Sequence, residues 1–204
     1  MLEERLKLTE GPAAPADEEL EARWKQGSTP AFALLFERWH GRVFSFALRL
    51  SQDRHLAEDL AQRAFVKLYQ KPPPGTGRAA FRTLLFTIVR NELWNERRNA
   101  QRRRGAGSVE AEGVGGPDPS PAEAADRLEE RDRVRAALAT LDEEDREVVL
   151  LRETEGLSVR EVAEVTGLTR DAVRWRLARG LEALRRELGA LNVRAGGTGE
   201  ERAT

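Results

Sequence analysis

Apolar residues recur at steps of three and four along most of the chain, which is the spacing of amphipathic helices. Nothing in the N-terminal half alternates with the two-residue period of a strand. Asp17 is predicted to cap the first helix, Gly27 to end it, and Thr29 with Pro30 at the first helical position to open the second. The helices predicted in this half cover residues 17–27, 29–50, 55–70 and 79–104. Together they can bury a single core.

The C-terminal half contains signals for two short helices joined by a tight turn. Gly156 can end the preceding helix, and Ser158 with Glu161 forms a capping box that starts the next one. Gly167 breaks that helix, and Thr169 can cap a longer one. The spacing predicts a helix-turn-helix. The helices that should cover its apolar face are predicted over residues 122–141 and 142–156.

The last predicted helix carries basic side chains near its N-terminus, on positions away from its apolar stripe. In a DNA-binding helix-turn-helix this part of the second helix enters the major groove, where arginine can bind guanine edges or phosphates. A plain helical hairpin with solvated arginines would carry the same charges, so this stretch alone leaves both interpretations open. The candidate contacts with duplex DNA are Thr169, Arg170, Asp171, Arg174 and Arg176.

Charge is balanced overall but separated along the chain. The 204 residues include 34 Lys+Arg and 35 Asp+Glu, which give a net charge of -1. Residues 97–104 contain five arginines and no acid, whereas residues 142–147 contain five acids and one arginine. Any binding of nucleic acid must therefore come from local basic surfaces.

Composition predicts an all-α protein of two small helical domains joined by a flexible linker. The segment 105–122 is too polar and too rich in Gly and Pro to pack. The chain is accordingly divided into a flexible leader, a first helical domain, the linker, a helix-turn-helix domain and a flexible tail, over residues 1–16, 17–104, 105–122, 123–191 and 192–204.

The residues that most enzymes and metal proteins use are few or scattered here. There are 0 cysteines, which excludes disulfides and thiolate sites, and His40 and His55 stand apart without a partner at metal-ligand spacing. We therefore expect no catalytic residue, no metal, no cofactor and no small-molecule substrate. No secretory signal or spanning segment is apparent, so we also expect a cytoplasmic protein without membrane insertion.

Two stretches resemble regions of the extracytoplasmic-function (ECF) sigma factors, a group of the sigma-70 family that directs bacterial RNA polymerase to promoters. LAEDLAQRAFVKLY and AFRTLLFTIVRNELWNERRN look like regions 2.2 to 2.4, and residues 138–185 are similar to region 4. The resemblance extends from about Glu18 to Leu188. Three departures stand out: Arg63 replaces a usual acid, Leu84 replaces a common Trp, and Pro72–Pro74 stiffens a variable loop.

The resemblance implies partners and roles for named residues. The partners would be core RNA polymerase, through its beta-prime and beta subunits, promoter DNA, and an anti-sigma factor. The residues implied in beta-prime binding are Glu58, Asp59 and Gln62. The region-4 candidates above would read the minus-thirty-five element as duplex. Those implied in binding the minus-ten element as a single strand are Pro74, Arg78, Arg90, Asn91, Asn95, Arg97 and Arg98.

Two other functions remain possible at this point. A helix-turn-helix repressor or activator that is not a polymerase subunit would use only the C-terminal domain, and it leaves the basic fourth helix unexplained. A helical adaptor that binds only proteins would make the arginine surface incidental.

Overall fold

A computed structural model describes residues 15–72, 78–104 and 132–197. Across these residues the regular secondary structure is helical, with no strand. They form two compact units, one mainly from the helices before the predicted linker and one mainly from the helices after it. The all-α, two-domain prediction is confirmed.

Four helices form the N-terminal unit. They are α1 (Asp17–Lys25), α2 (Thr29–Ser51), α3 (Arg54–Gln70) and α4 (Arg78–Arg104). Helices α2, α3 and α4 pack against one another, and α1 packs on α2. The largest fully buried side chains are those of Trp39, Phe46, Phe81 and Phe86. These aromatic side chains mark the core, and α4 extends past it.

The first helix begins differently from the prediction. Asp17 lies within the first turn of α1, and its buried carboxylate accepts hydrogen bonds from Trp39 Nε1 at 3.1 Å and from the Arg38 guanidinium. It caps no helix, because donors on α2 bind it instead. For α2 the cap is Ser28, whose Oγ accepts from the Ala31 N–H at 3.3 Å, so Pro30 takes the second helical position and not the first.

The C-terminal unit contains the helix-turn-helix and the helices before it. Residues 132–139 are helical (α5), and α6 (Glu143–Val149) continues into a π-helical turn over Leu150–Thr154. Helix α7 (Val159–Thr166) and helix α8 (Arg170–Gly197) follow. Helix α8 packs on α6, and glycine permits the approach, since a Cβ at Gly180 would lie 2.7 Å from Val149 Cγ2.

A buried arginine joins α5 to α6. Arg146 donates hydrogen bonds to three backbone carbonyls at and just after the end of α5, those of Leu138, Ala139 and Leu141, at 2.7, 2.9 and 3.0 Å. Burial lowers the pKa of Arg146 from its usual value. These bonds occupy carbonyls that a helix end leaves without intrahelical partners.

Helix α8 continues to Gly197, past residue 192, at which the flexible tail was predicted to begin. The leader up to residue 14 and the linker 105–122 lie outside the described residues. The other domain boundaries stay predictions. In the described part of the chain, no helix is long and apolar enough to cross a membrane.

Candidate nucleic-acid interface

The helix-turn-helix has the predicted local geometry. Gly156 and Gly167 adopt positive φ angles of 67° and 73°, where glycine carries no steric penalty. The Ser158 N–H donates to Glu161 Oε2 at 2.7 Å, and the Glu161 N–H donates to Ser158 Oγ at 3.2 Å. Thr169 Oγ1 accepts from the Ala172 N–H at 3.2 Å at the start of α8. The capping box and the second cap are therefore confirmed.

One side of α8 is buried and the opposite side is free for a ligand. Val173 is fully buried, while Thr169, Arg170, Asp171 and Arg174 are exposed. Arg174 Nη1 donates to Asp171 Oδ1 at 2.7 Å, and both side chains remain largely in solvent. An exposed guanidinium one turn into such a helix can reach a base edge in the major groove.

Arg176 was predicted to be exposed, and that prediction is wrong. Its side chain is 20% exposed, and its guanidinium binds the carboxylates of Glu144 and of Asp145, the latter at 3.2 Å. Arg179 donates to the same Asp145 and, at 2.8 Å, to Asp142. The acidic start of α6 thus binds two arginines of α8, because packing brings the two helices together.

Sequence reasoning missed Trp175 on the same helix. Its side chain is 57% exposed, and the Arg179 guanidinium lies 4.5 Å above the centre of its ring. With about 100° of rotation per residue, position 175 falls opposite the side that carries buried Val173 and half-buried Leu177. That angular position was the signal in the sequence that could have identified it.

The candidate residues on α4 share one face. Arg90, Asn91, Arg97 and Arg98 lie at helical spacing over little more than two turns, with Asn95 beside them. Asn91, Asn95 and Arg98 are exposed, whereas Arg90 and Arg97 are half-buried.

An aromatic ring that sequence reasoning missed lies among these residues. Trp94 has Arg90 above its ring at 5.7 Å and Arg97 at 5.4 Å. Arg97 also donates to the Leu50 carbonyl at 3.1 Å, and Arg98 donates to Asn95 Oδ1. The face therefore combines amides, arginines and an indole, which is a chemistry suited to single strands. Its remaining candidates are Pro74, outside the described residues, and Arg78, where the α4 backbone begins.

The candidate polymerase face on α3 is partly engaged within the chain. Glu58 accepts from Arg54 Nε at 3.2 Å, Asp59 accepts from Arg63 Nε at 2.9 Å, and Gln62 is exposed. Both carboxylates remain about half exposed. The face can therefore meet a basic partner, but each acid already has an arginine beside it.

Arg63 connects this face to α4. Its Nη1 donates to Glu96 Oε1 at 2.8 Å and lies 3.7 Å from Glu92 Oε2. The hydrogen bond to Glu96, with the charges of Asp59 and Glu96, raises the pKa of Arg63 above its usual value. The unusual arginine is thus surrounded by three carboxylates.

No cluster of three or more His, Cys, Asp or Glu residues that could bind a metal occurs among the described residues.

Two family models match the chain, one on each side of the predicted linker. Residues 35–103 match Sigma-70 region 2, and residues 131–184 match Sigma-70 region 4. Each match includes the candidate DNA-binding residues of one of the two helices.

Relatives with assigned names agree with these matches. The ECF RNA polymerase sigma factor SigL of Mycobacterium tuberculosis is 32% identical over 161 residues, covering 78% of this chain and 89% of SigL. The probable RNA polymerase sigma factor RfaY of Xanthomonas campestris is 31% identical over 165 residues, covering 79% of this chain and 41% of RfaY. This chain thus spans less than half of RfaY but most of SigL.

A solved structure has the same fold. The sigma factor RpoE of Bartonella quintana, crystallised with the anti-sigma factor NepR, matches with a TM-score of 0.63 and 22% identity, over 78% of this chain and 96% of RpoE. With two sigma-70 regions in order and a relative matched over most of its length, this chain belongs to the sigma-70 family as an ECF sigma factor, a non-enzymatic protein of promoter recognition.

Proposed function

We propose that the two units divide the promoter between them, with α8 reading the minus-thirty-five element as duplex and α4 binding the minus-ten element as a single strand. The observation that carries the upstream assignment is the capped helix-turn-helix, which exposes Arg174 on the side of α8 away from buried Val173. Thr169, Arg170 and Asp171 belong to the same exposed turn. Arg176 contributes to the packing of α8 on α6 and contacts DNA only if its ion pairs open.

The α4 face is proposed to bind the unpaired strand by stacking and charge. Asn91 and Asn95 present amides to base edges, Arg98 presents a guanidinium to phosphates, and Arg90 and Arg97 flank an indole. The family resemblance adds Pro74 and Arg78, just before and at the start of the helix, as the place where a flipped base is captured.

Core RNA polymerase is the proposed partner of α3, through its beta-prime subunit, with the beta subunit as a further contact. Half-exposed Glu58 and Asp59, with exposed Gln62, suit a basic surface. Asp59→Arg should abolish association with core polymerase while leaving the helical fold unchanged. Unchanged capture of core by this variant would remove the α3 assignment.

We also propose that the chain acts in the cytoplasm and is restrained by an anti-sigma factor. The support is the RpoE structure, in which a sigma factor of the same fold is bound to NepR. Purification of the chain from its host with no protein bound to it under non-inducing conditions would count against an anti-sigma factor.

The upstream assignment is tested by comparing two arginines of α8. Arg174→Ala should cost about 1 to 3 kcal/mol on the preferred duplex and relax the preference at one base pair. Arg186→Ala, which removes the same charge from an exposed position farther along α8, should weaken binding little and evenly across sequences. Both variants are titrated with duplexes carrying each single base change. Equal losses by Arg174→Ala on every duplex would place its contact on phosphate.

A further inference from the structure

The α8 helix presents one large apolar side chain to solvent at the position farthest from its packed side. Trp175 is 57% exposed, and Asp171 and Ala178, which share its side of the helix, are exposed as well. Its other neighbours in solvent, Arg170 and Arg174, are basic. An exposed indole indicates an interaction surface, and basic neighbours make an anionic polymer the fitting occupant.

The indole rests on a guanidinium that is itself fixed from below. The Arg179 guanidinium lies 4.5 Å from the ring centre and donates to Asp145 and Asp142 of α6. The Asp145 side chain is 4% exposed, so the base of this stack is buried. These contacts raise the pKa of Arg179, first through its hydrogen bond to Asp145. The ring orientation is thereby restricted before any DNA binds, which lowers the entropy lost on binding.

The chemistry of an indole limits what it can recognise in a duplex. Its ring is an apolar surface. Its N–H can donate a hydrogen bond, but the indole cannot accept one. In the major groove the one apolar group on a base edge is the C5-methyl of thymine. Of the groups an outward-facing indole could meet there, this methyl is the one that excludes other bases.

We propose that Trp175 is a specificity-determining residue that packs on the C5-methyl of a thymine in the upstream element, next to the base pair read by Arg174. Arg179 is the positioning residue that orients the ring through its own ion pairs with α6. The inference rests on the proposed entry of α8 into the major groove. With Trp175, α8 would recognise a thymine in addition to the guanine that its arginines alone would favour.

The test removes the methyl group and nothing else. The full-length protein is titrated with upstream duplexes in which each thymine in turn is replaced by deoxyuridine. Wild type should lose about three- to fivefold in affinity at one position, the value of one buried methyl-sized group. Trp175→Ala should bind the thymine and uracil duplexes equally, and Trp175→Phe should retain part of the discrimination.

Two further variants separate this inference from the function on which it rests. Arg174→Ala should keep the thymine discrimination while losing its own base preference. Arg179→Lys keeps a cation for Asp145 but lacks the planar group that stacks, so it should fold normally and lose most of the thymine discrimination.

The inference is overturned if no deoxyuridine replacement lowers the affinity of wild type. It is overturned as well if Trp175→Ala still prefers the thymine duplex over the uracil duplex by the same factor as wild type. It is also overturned if Trp175→Ala changes only the capture of polymerase or of an anti-sigma factor, because the indole would then face a protein. If Arg174 shows base preference while the methyl has no effect, the inference alone fails. If wild type shows no base preference at all, the proposed function of α8 fails with it.

Discussion

The arginines of the two units are bound in different ways, although both sets lie on the helices proposed to contact DNA. On α4, Arg90 and Arg97 flank an indole and Arg98 binds an amide oxygen. On α8, Arg176 and Arg179 bind carboxylates of α6, and Arg179 also lies above the ring of Trp175. The difference shows that the number of arginines on a helix does not measure the charge it offers to DNA.

The acids of residues 142–147 explain the contrast. They lie at the start of α6, which packs on α8, so part of the positive charge of α8 is neutralised within the fold. The basic end of α4, residues 97–104, contains no acid of its own. We therefore expect binding by α4 to depend strongly on phosphate charge and binding by α8 to depend more on base edges.

The largest expected effect is on the arginine that serves only the fold. Arg146→Ala should lower the free energy of unfolding of the C-terminal unit by about 2 to 4 kcal/mol, because three carbonyls lose a charged donor. Hydrogen exchange of amides in residues 132–197 measures it, with the N-terminal amides as internal reference. Arg146→Lys should recover only part of the loss, since an ammonium reaches fewer carbonyls. A loss under about 1 kcal/mol would show that water replaces the guanidinium there.

Releasing the arginines of α8 from their ion pairs should make DNA binding by α8 depend more strongly on phosphate charge, as is expected of α4. Asp145→Asn removes the buried carboxylate that both Arg176 and Arg179 bind. The slope of log affinity against log salt for upstream duplex should become steeper by about 1 to 2, with a smaller ratio between preferred and altered sequences. Glu144→Gln, which removes an ion-pair partner of Arg176 but leaves the hydrogen bonds of Arg179 to Asp142 and Asp145 in place, is the matched control and should change the slope less. An unaltered slope in Asp145→Asn would mean that the acids do not neutralise these arginines.

Replacing one arginine by alanine in each unit should then change the salt dependence of DNA binding by different amounts. Arg98→Ala should reduce the salt slope for minus-ten single strand by about 0.7, the value of one phosphate contact. Arg176→Ala should leave the slope for upstream duplex unchanged, because its charge is already paired with Glu144 and Asp145. Both slopes come from titrations of the full-length protein with core polymerase. Equal slope changes in the two variants would contradict the comparison.

The smallest effect is expected at Arg63. This arginine of the N-terminal unit is paired with carboxylates, as Arg176 and Arg179 are in the C-terminal unit. Arg63→Gln should strengthen binding to core polymerase by about two- to fivefold, since exposed ion pairs of this kind contribute little and Asp59 becomes available. Lys67→Gln removes a cation bound to Glu92 and serves as the control. Weaker binding by Arg63→Gln would show that this arginine supports the docking face instead of competing for it.

Features that depend on neighbours in sequence could be predicted from the sequence. The helices, the glycine turns, the capping box of Ser158 with Glu161 and the cap at Thr169 all involve residues within a few positions of one another. Such bonds need only residues nearby in sequence, so the spacing predicts them where no distant donor competes, as one does at Asp17. The motifs of the two sigma regions are also local, and the family matches confirmed them.

The tertiary structure alone decided which charged and aromatic side chains remain available. Asp17 binds Trp39 instead of capping a helix, and Arg176 binds an acid 31 positions away. Arg179 lies above the Trp175 ring and is itself bound by acids up to 37 positions away in sequence. Each of these contacts depends on how helices pack, and those of Arg176 and Arg179 also depend on glycine at position 180, which lets α8 approach Val149. A sequence pattern shows that a residue lies on a helix face, but which distant carboxylate or ring meets that face is settled only when the core is packed.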